Sequence, residues 1–501
     1  MKMTRALILF AVALVAALGA AADARAQTQA AARRALVIGM TLEPPVLDPT
    51  ISPAAAIAEI TQLNIYEGLT RIDEQGRVLP GLAERWDVSA DARTYTFHLR
   101  RGVKFSDGTD FDSADVKFTF ERNARDDSTN GRKAYFTQME RITTPDAGTV
   151  VVTLREPSAL FLFNMAENAS VIVAPESAPT NRSKPIGTGP YVLERWLPGD
   201  SVVLVKNPTY RTAAAVTIER VTFKFIGDAA AQVAALLAGD VDFFANLQAV
   251  EAVAQFQRDA RFQVLLGNTE GETILAMNNK RGPLADVRVR RAISHAVDRR
   301  EIIAGAMSGM AQPIGSHFAP HHPAYVDLTG IYAPDIDKAR ALLREAGVPN
   351  GFEVTLTLPP VDYARRSGQI VAAQLARVGV RARIEEVEWA RWLDGVLDKK
   401  NYDLTIVSHV EPMDIVIYGN PNYYFHYDSP ALRAILARAN GAADVAEQNR
   451  AWGDAQRLIA TDAVNVFLFE LPKVAVARAG LKGLWTNAPM FVNDVAAMRW
   501  E

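Results

Sequence analysis

The sequence predicts an α/β protein with more than one domain. Its 501 residues are too many for a single hydrophobic core. Between residues 352 and 407, strand-like alternation and helix-like periodicity follow one another in the order β-α-β-α-β. This order is typical of a parallel sheet whose strands are joined by crossover helices.

The first residues have the pattern of a cleaved export signal. Lys2 and Arg5 precede an apolar run over residues 6–18, and the Ala-Arg-Ala tripeptide at 24–26 provides a cleavage site between small residues. No later apolar run reaches the ~18 residues that a bilayer span requires. The chain has no cysteine, which excludes a lipid anchor on cysteine and disulfide bonds. We therefore expect cleavage near Ala26 and export, most simply to a bacterial periplasm.

Composition and charge are those of an ordinary globular protein. Hydrophobic residues make up 49% of the chain and charged residues 22%. The formal net charge is -3, and no stripe of basic residues stands out. Nucleic acid and anionic membranes are therefore not expected partners.

The first half of the chain predicts short strands, turns and capped helices. Residues 36–40 predict a strand, and three prolines within residues 41–50 predict an extended loop that carries Glu43. Residues 94–100 alternate as a half-buried strand. A turn at 106–108 leads into a helix capped by Asp112 or Ser113.

The pattern is most regular in the second half. It predicts strands over residues 352–358, 380–384 and 404–407, and helices over 366–378 and 389–399. A further helix is predicted over 444–460. A strand over 464–469 is expected to break at Leu471-Pro472-Lys473.

Acidic and aromatic residues follow the predicted strand over 404–407. His409, Glu411 and Asp414 come first, and an aromatic run of Tyr418, Tyr423, Tyr424, Phe425 and Tyr427 follows. Open α/β sheets bind ligands just beyond the carboxyl ends of their strands. The segment therefore predicts a ligand site, and the alternative is a surface loop whose tyrosines cap the core.

The chain has a single cluster of histidines, formed by His317, His321 and His322. Pro320 and Pro323 deny these residues a helical spacing, and no carboxylate stands beside them in the sequence. We therefore predict no metal site and no cofactor.

Enzyme motifs are missing from the sequence. It contains no GxSxG, no HExxH and no cysteine nucleophile. His409 and Glu411 have the spacing of the deaminase HxE motif, but the cysteines of that motif are absent. We predict that the protein is not an enzyme. An exported hydrolase using paired acids such as Glu411 and Asp414 stays open as an alternative, as does an inert structural protein.

Four sequence blocks, taken in order, resemble one known family. The blocks are residues 82–86 with 104–109 and 115–116; 186–191 with 198–200 and 206–210; 236–242; and 276–279 with 286–290 and 296–299. They resemble the family 5 solute-binding proteins, which are the dipeptide and oligopeptide receptors of ABC importers. The resemblance extends from about residue 36 to the C-terminus.

The resemblance implies a two-lobed periplasmic binding protein fold of the Venus-flytrap type. It is the large peptide-receptor form, with an extra subdomain in the first lobe. The implied divisions are a signal peptide over 1–26, lobe 1 over 27–272 with an inserted subdomain at about 76–185, lobe 2 over 273–475, and a return to lobe 1 over 476–501. The chain would cross between lobes near residues 271–275 and 471–473, and two crossings form a hinge.

The resemblance also implies a function. We expect the periplasmic substrate-binding component of an ABC transporter, a monomer that captures a peptide or peptide-like solute between its lobes. The solute would then pass to an inner-membrane ABC permease complex. The alternative is a receptor of the same class for a non-peptide solute, with an opine, a nickel complex, glutathione and a saccharide as the candidates.

Peptide receptors of this family pair an acid after this strand with the ligand's α-ammonium, and a tryptophan often precedes that acid. This chain departs from the pattern, since His409 stands near the tryptophan position. Asp414 is the first candidate for the ammonium partner and Glu411 the second. The remaining candidates for ligand contact are Tyr423, Tyr424 and Trp389 as ring walls, Arg391 for a ligand carboxylate, and Glu43.

Overall fold

A computed structural model describes residues 34–52 and 54–501. The predicted leader and its cleavage site near Ala26 lie outside these described residues. Within the described ranges, no helix has both the length and the apolar character that crossing a membrane requires.

Nineteen strands are formed within the described ranges. In chain order they are β1 (Ala35–Met40), β2 (Thr70–Ile72), β3 (Val78–Pro80), β4 (Ala83–Val88), β5 (Thr94–Leu99), β6 (Met139–Asp146), β7 (Thr149–Leu154), β8 (Tyr191–Leu197), β9 (Ser201–Lys206), β10 (Arg220–Phe225), β11 (Phe243–Phe244), β12 (Phe262–Met277), β13 (Gln312–Pro313), β14 (Glu353–Leu358), β15 (Arg381–Glu386), β16 (Leu404–His409), β17 (Asn465–Arg478), β18 (Leu481–Lys482) and β19 (Arg499–Trp500).

The α-helices lie mostly in the second half of the chain. They are α1 (Ala55–Thr61), α2 (Ser113–Ala124), α3 (Ala134–Thr137), α4 (Phe161–Asn164), α5 (Ala229–Ala238), α6 (Val253–Arg258), α7 (Val287–Ala296), α8 (Arg299–Ala306), α9 (Ile336–Glu345), α10 (Asp362–Ala376), α11 (Trp389–Trp392), α12 (Pro430–Asn440) and α13 (Val445–Thr461).

One mixed sheet extends through both lobes. Its strand order is β15-β14-β16-β12-β17-β11-β1-β10-β9-β8, and β13 pairs with β17 beside this path. Strands β14 to β16 belong to lobe 2, whereas β1 and β8 to β11 belong to lobe 1. The two-lobed α/β fold class predicted from the sequence is therefore confirmed.

Two long antiparallel strands, β12 and β17, connect the lobes. β12 pairs with β16 over residues 272–277 in lobe 2, and β17 pairs with β11 in lobe 1. The two strands also pair with each other from Phe262 opposite Arg478 to Ala276 opposite Asn465. Their register shifts between Asn268 and Glu272, which places an irregularity between the two lobes.

The predicted break at residues 471–473 is wrong, because β17 continues through them. Pro472 has no N–H to donate, but it lies opposite Asn268 at the edge of the irregular stretch. A proline is tolerated in a strand at such a position. Pairing with β12 on both sides carries the chain through. The domain boundaries at residues 272 and 475 stay predictions.

The β-α-β-α-β prediction is confirmed over β14, α10, β15, α11 and β16. β14 pairs in parallel with both β15 and β16. The helix predicted over 389–399 has two parts: α11 is followed by a π-helical stretch, Leu393–Asp398. The chain leaves β16 at its carboxyl end, as the sequence predicts, and enters the acidic and aromatic segment.

A four-stranded antiparallel sheet, in the order β4-β5-β7-β6, forms a separate layer in the first lobe. Its core is aromatic and includes the buried side chains of Phe97, Phe105 and Phe120. Helix α2 packs beside it and begins at Asp112, whose side chain accepts a hydrogen bond from Ala114 while Asp115 bonds back to the Asp112 N–H. This reciprocal capping box fixes where the helix starts.

Candidate functional site

A cavity of about 460 Å³ lies between the two lobes, and we call it the central cavity. Lobe 1 contributes Gln62, Arg132 and Glu167 to its wall, and lobe 2 contributes Val410 and Glu411. Parts of β12, of β17 and of the segment 488–491 complete the lining. Both lobes and both connecting strands therefore meet at one cavity.

The lobe 1 wall carries a network of polar groups. Arg132 Nε lies 3.5 Å from Glu167 Oε2, and the Tyr135 hydroxyl donates to Glu167 Oε1 at 2.8 Å. Burial raises the pKa of Glu167, although Arg132 and Tyr135 oppose the shift. Burial opposes the charge of Arg132, but Glu167, then Tyr135 and Glu411, raise its pKa. Arg132 is therefore a fixed cation at the cavity.

The opposite wall is formed where the chain leaves β16. Val410 and Glu411 directly follow that strand and are exposed. Met413 then adopts a left-handed conformation (φ 63), which turns the chain into a 3₁₀ helix, Asp414–Gly419. This turn separates the two predicted acids: Glu411 lines the central cavity, and Asp414 points into the protein.

Asp414 is held by two histidines. Its Oδ1 contacts His317 Nε2, and its Oδ2 lies 3.0 Å from His409 Nδ1. The Asp414 side chain is 15% exposed. Burial acts against its charge, but the contacts with His317 and His409 hold its pKa well below the usual range. Both of its oxygens are therefore engaged within the protein.

The predicted aromatic residues pack around His409. Tyr424 is buried, its hydroxyl lies 3.0 Å from His409 Nε2, and the two rings are nearly parallel. Tyr423 is half-buried, with its ring centroid 6.2 Å from that of His409. The structure thus brings four of the predicted residues together: His409, Asp414, Tyr423 and Tyr424.

Three other predicted residues lie apart from the central cavity. Trp389 stacks on Trp392 with ring centroids 5.2 Å apart, and Arg391 Nη2 lies 2.8 Å from Glu385 Oε1. Glu43 accepts hydrogen bonds from Trp196 Nε1 at 2.8 Å and from the backbone N–H of Gly199 at 3.0 Å. These contacts account for each side chain within the fold, and the predicted ligand roles stay predictions.

A second cavity of about 300 Å³ shares part of its lining with the central cavity, and we call it the side cavity. Glu59 and Lys473 belong to its wall. Burial raises the pKa of Glu59 to about 7. Burial also lowers the pKa of Lys473 to about 8, while its Nζ donates to the Trp485 carbonyl at 2.6 Å.

Three buried glutamates on the connecting strands were not among the candidates identified from the sequence. Glu270 and Glu272 lie on β12, and Glu470 on β17 faces Glu272 in the register. Burial raises the pKa of all three, and the charges of neighbouring glutamates add to the effect at Glu272 and Glu470. The sequence does contain a signal for them: two acids, at positions 270 and 272, stand directly before an apolar run. Acidic side chains are unusual in a strand that is buried on both faces, and they indicate a special role.

The reasoning that argued against a metal site considered only neighbours in the sequence, and the fold adds neighbours from distant segments. Carboxylates do lie beside the histidine cluster: Asp414 contacts His317, and Glu270 Oε1 lies 2.8 Å from His321 Nε2. The second pair is close but not aligned as a hydrogen bond. His317 and Asp414 are 97 residues apart, so their contact could not be read from local spacing.

Comparison with family models gives one match. The model described as bacterial extracellular solute-binding proteins, family 5 Middle, matches residues 77–428. The match includes the segment with Glu411 and Asp414 and the strand β12.

Individual relatives agree with this match. The glutathione-binding protein GsiB of Salmonella choleraesuis (strain SC-B67) is 30% identical over 75% of this chain and 73% of its own length. Among solved structures, the periplasmic murein tripeptide binding protein MppA, in its unliganded open form, matches with a TM-score of 0.85 and 23% identity, over 93% of this chain and 97% of its own. The protein AgaA in complex with agropinic acid, from A. tumefaciens R10, matches with a TM-score of 0.71 and 26% identity, over 93% and 99%.

Proposed function

This chain belongs to family 5 of the bacterial extracellular solute-binding proteins, and we propose that it captures a peptide or peptide-like solute between its two lobes. The family comprises the solute-binding components of ABC importers. In the proposed role, the loaded protein delivers its solute to an ABC permease in the inner membrane.

One observation carries the proposal about the solute. The central cavity has Arg132, paired with Glu167, on one lobe and the carboxylate of Glu411 on the other. A zwitterion with a carboxylate and an ammonium group complements this arrangement, and a short peptide is such a molecule. A solute that contacts both lobes at once stabilises the closed state over the open state. A micromolar Kd corresponds to about -8 kcal/mol, which a few charge-assisted contacts and apolar burial can supply.

We assign the ammonium contact to Glu411 and place Asp414 second, which reverses the order expected from the sequence. Glu411 is exposed and lines the central cavity. Both oxygens of Asp414 are already engaged by His317 and His409. Tyr423 is half-buried beside His409 and does not line the central cavity, so we rank its ligand contact below that of Glu411.

The relatives support a peptide-like solute. The names of two of them refer to glutathione and to a murein tripeptide. Both molecules are built from amino acids, although the expectation from the sequence counted glutathione among the alternatives. The structure titled with agropinic acid keeps a non-peptide acid as the alternative within the same receptor class.

We further propose that the protein works in the periplasm as a monomer and without catalysis. The leader pattern over residues 1–26 supports export. The relatives are named as binding proteins, which supports a function that involves no catalysis. We also propose that lobe 2 comprises residues 273–475, which the exchange of β-partners along β12 and β17 supports.

Isothermal titration calorimetry, which measures the Kd for reduced glutathione and for a set of di- to tetrapeptides, tests the proposed function. Removing a charge-assisted contact costs about 1.5–3 kcal/mol, so we expect Glu411→Gln to weaken binding about 10- to 100-fold. Glu388→Gln, which neutralises another exposed acid of the same lobe, serves as the matched control and should bind like the unmodified protein.

Mass spectrometry of small molecules released from the denatured protein identifies the natural solute. Short peptides among them would support the proposal. A single non-peptide compound would keep the receptor class and contradict the peptide assignment. Equal affinities of Glu411→Gln and the unmodified protein for the released solute would remove Glu411 from the site.

A further inference from the structure

A cluster of buried ionisable side chains lies near the central cavity and does not include Glu411, the first candidate for the ammonium contact. It comprises Glu272 on β12, His317 in the loop after β13, and Asp414 after β16. One potential ligand atom from each residue lies within 4.8 Å of the other two. None of the three residues lines the central or the side cavity.

Two atoms of this cluster lack a hydrogen-bond partner. Among the described residues, nothing bonds to Glu272 Oε2 or to His317 Nδ1. Glu272 is 2% exposed and His317 is 1% exposed, so bulk solvent does not reach them. An unsatisfied buried polar group costs about 1–3 kcal/mol, and more when it is charged. The cluster is therefore polar and buried, and two of its atoms have no protein partner.

Carboxyl groups lie close together around the cluster without a lysine or arginine partner. Glu270 and Glu470 add two further buried carboxylates, each with at least one unpartnered oxygen. The strongest electrostatic neighbours of these carboxylates and of Asp414 are other carboxylates and histidines, with no lysine or arginine among them. Buried charges are normally paired or coordinate metals. A bound cation would offset the repulsion between the carboxyl groups and would give the unpartnered atoms a ligand contact.

We propose that Glu272, His317 and Asp414 bind a divalent transition-metal ion such as Zn²⁺ or Ni²⁺. A set of one imidazole nitrogen and two carboxylate oxygens suits these ions better than Mg²⁺ or Ca²⁺, which prefer oxygen ligands alone. Three protein ligands are also the number found in zinc sites that keep a position for water.

Groups around the proposed ligands have the arrangement that supports a metal site. His409 holds the second oxygen of Asp414 at 3.0 Å, and the Tyr424 hydroxyl lies 3.0 Å from the other ring nitrogen of His409. Such contacts orient a carboxylate ligand and are part of most metal sites. The ion would join β12, the loop after β13 and the segment after β16, and so would fix the segment on which Glu411 stands.

Metal titration of the full protein, prepared without a polyhistidine tag and stripped with a chelator, tests the proposal. We expect one Zn²⁺ per chain, bound with a Kd in the micromolar range or below, and a higher Tm with the ion than without it. Co²⁺, used as a spectroscopic probe, should give visible absorption bands that are shifted and more intense than those of the aqueous ion.

Two conservative variants locate the site. His317→Gln and Glu272→Gln should each weaken Zn²⁺ binding by at least about 100-fold, since even loss of a supporting contact typically costs 10- to 100-fold. His98→Gln is the matched control: His98 Nε2 lies 2.7 Å from Asp87 Oδ2 on the surface of the first lobe, and this variant should keep full affinity.

Three results would overturn the proposal: less than one equivalent of Zn²⁺ bound, equal affinity in His317→Gln and the unmodified protein, or a Co²⁺ spectrum identical to that of the aqueous ion. Circular dichroism shows whether each variant is folded. If both site variants unfold, the stoichiometry and the Co²⁺ spectrum of the unmodified protein still decide. These readouts involve no solute, so they stand apart from the proposed transport function.

Discussion

Desolvation shifts the pKa values of two side chains on the wall of the side cavity in opposite directions. Burial raises the pKa of Glu59 to about 7 and lowers that of Lys473 to about 8. Desolvation disfavours the charged form of both groups. Lys473 also donates hydrogen bonds to backbone carbonyls, among them that of Trp485. For Glu59, burial is the single cause of the pKa shift. Glu59 therefore offers the simpler test.

We predict that Glu59→Gln stabilises the protein at pH 8 and not at pH 4. In the unfolded chain the carboxyl has a pKa near 4.5, so between pH 4.5 and 7 the folded state binds more protons. Stability is lost as pH rises through this window. The shift corresponds to at most about 3 kcal/mol, which is the upper limit of the gain expected above pH 7.

Urea denaturation of both proteins at pH 4 and pH 8 measures this difference in the free energy of unfolding. Below pH 4.5 the carboxyl is protonated in both states, and the two proteins should then be equally stable. A gain of the same size at both pH values would show that the ionisation of Glu59 is not its cause.

At the candidate site, the sequence predicts the residues that are close in the chain and misses those brought together by the fold. His409, Asp414, Tyr423 and Tyr424 lie within sixteen residues and are grouped in the structure as well. The partner of Asp414, His317, comes from a loop 97 residues earlier. The left-handed turn at Met413, which directs Glu411 outward and Asp414 inward, has no residue type that announces it, since such turns usually carry glycine or asparagine.

Among the larger elements, the connecting strands depend on a third segment that packs against them. A Cβ at Gly267 of β12 would lie 2.0 Å from the carbonyl oxygen of Thr486. The segment holding that carbonyl is itself fixed, because Thr486 N–H donates to Glu74 at 2.8 Å and Lys473 donates to the Trp485 carbonyl. Close backbone approach is therefore the reason for glycine at position 267.

We predict that Gly267→Ala lowers the free energy of unfolding by about 1–3 kcal/mol, the usual cost of inserting a methyl group where no space exists. Gly330→Ala is the control, because a Cβ there meets no atom within 4 Å. Urea denaturation compares the two variants. Equal free energies of unfolding would mean that the segment around Thr486 moves away at no cost in stability and does not support β12.

Elements with strong local periodicity are those that the sequence predicts well. The β-α-β-α-β order of lobe 2 and the helix over 444–460, observed at Val445–Thr461, are confirmed. The supposed break at residues 471–473 was wrong because the proline signal is local, whereas the pairing of β17 with β12 extends over fourteen residues of β17. Long-range pairing overrides a local breaker when an irregular register accommodates it.

For the whole molecule, the exposed side chains around the central cavity indicate how closure would be driven. Val410 and Phe491 line the cavity and are each 45% exposed. Fully burying such a side chain contributes about 1.5–3 kcal/mol. A solute that draws the lobes together would therefore gain apolar burial in addition to its own charge contacts.

We predict that solute binding shortens the distance between the lobes. The chain has no cysteine, so two dyes can be attached at Glu121→Cys in lobe 1 and Glu388→Cys in lobe 2, both exposed positions. Energy transfer between the dyes should rise when the best-binding peptide is added. A second pair, Glu345→Cys with Glu388→Cys, lies within lobe 2 and should not respond. Unchanged transfer for the first pair would contradict closure.

The route of the chain also sets the order in which the protein can be completed. The core around β1 contains Ala475, Ala477, Leu481, Val495 and Met498, all from the end of the sequence. Trp500 Nε1 donates to the Ala35 carbonyl at 2.9 Å, which joins the last residues to the first strand. Lobe 1 therefore cannot finish folding until synthesis has reached the C-terminus, whereas lobe 2 has all of its strands earlier. A growing chain thus keeps its N-terminal half without a complete core until its last residues have been made.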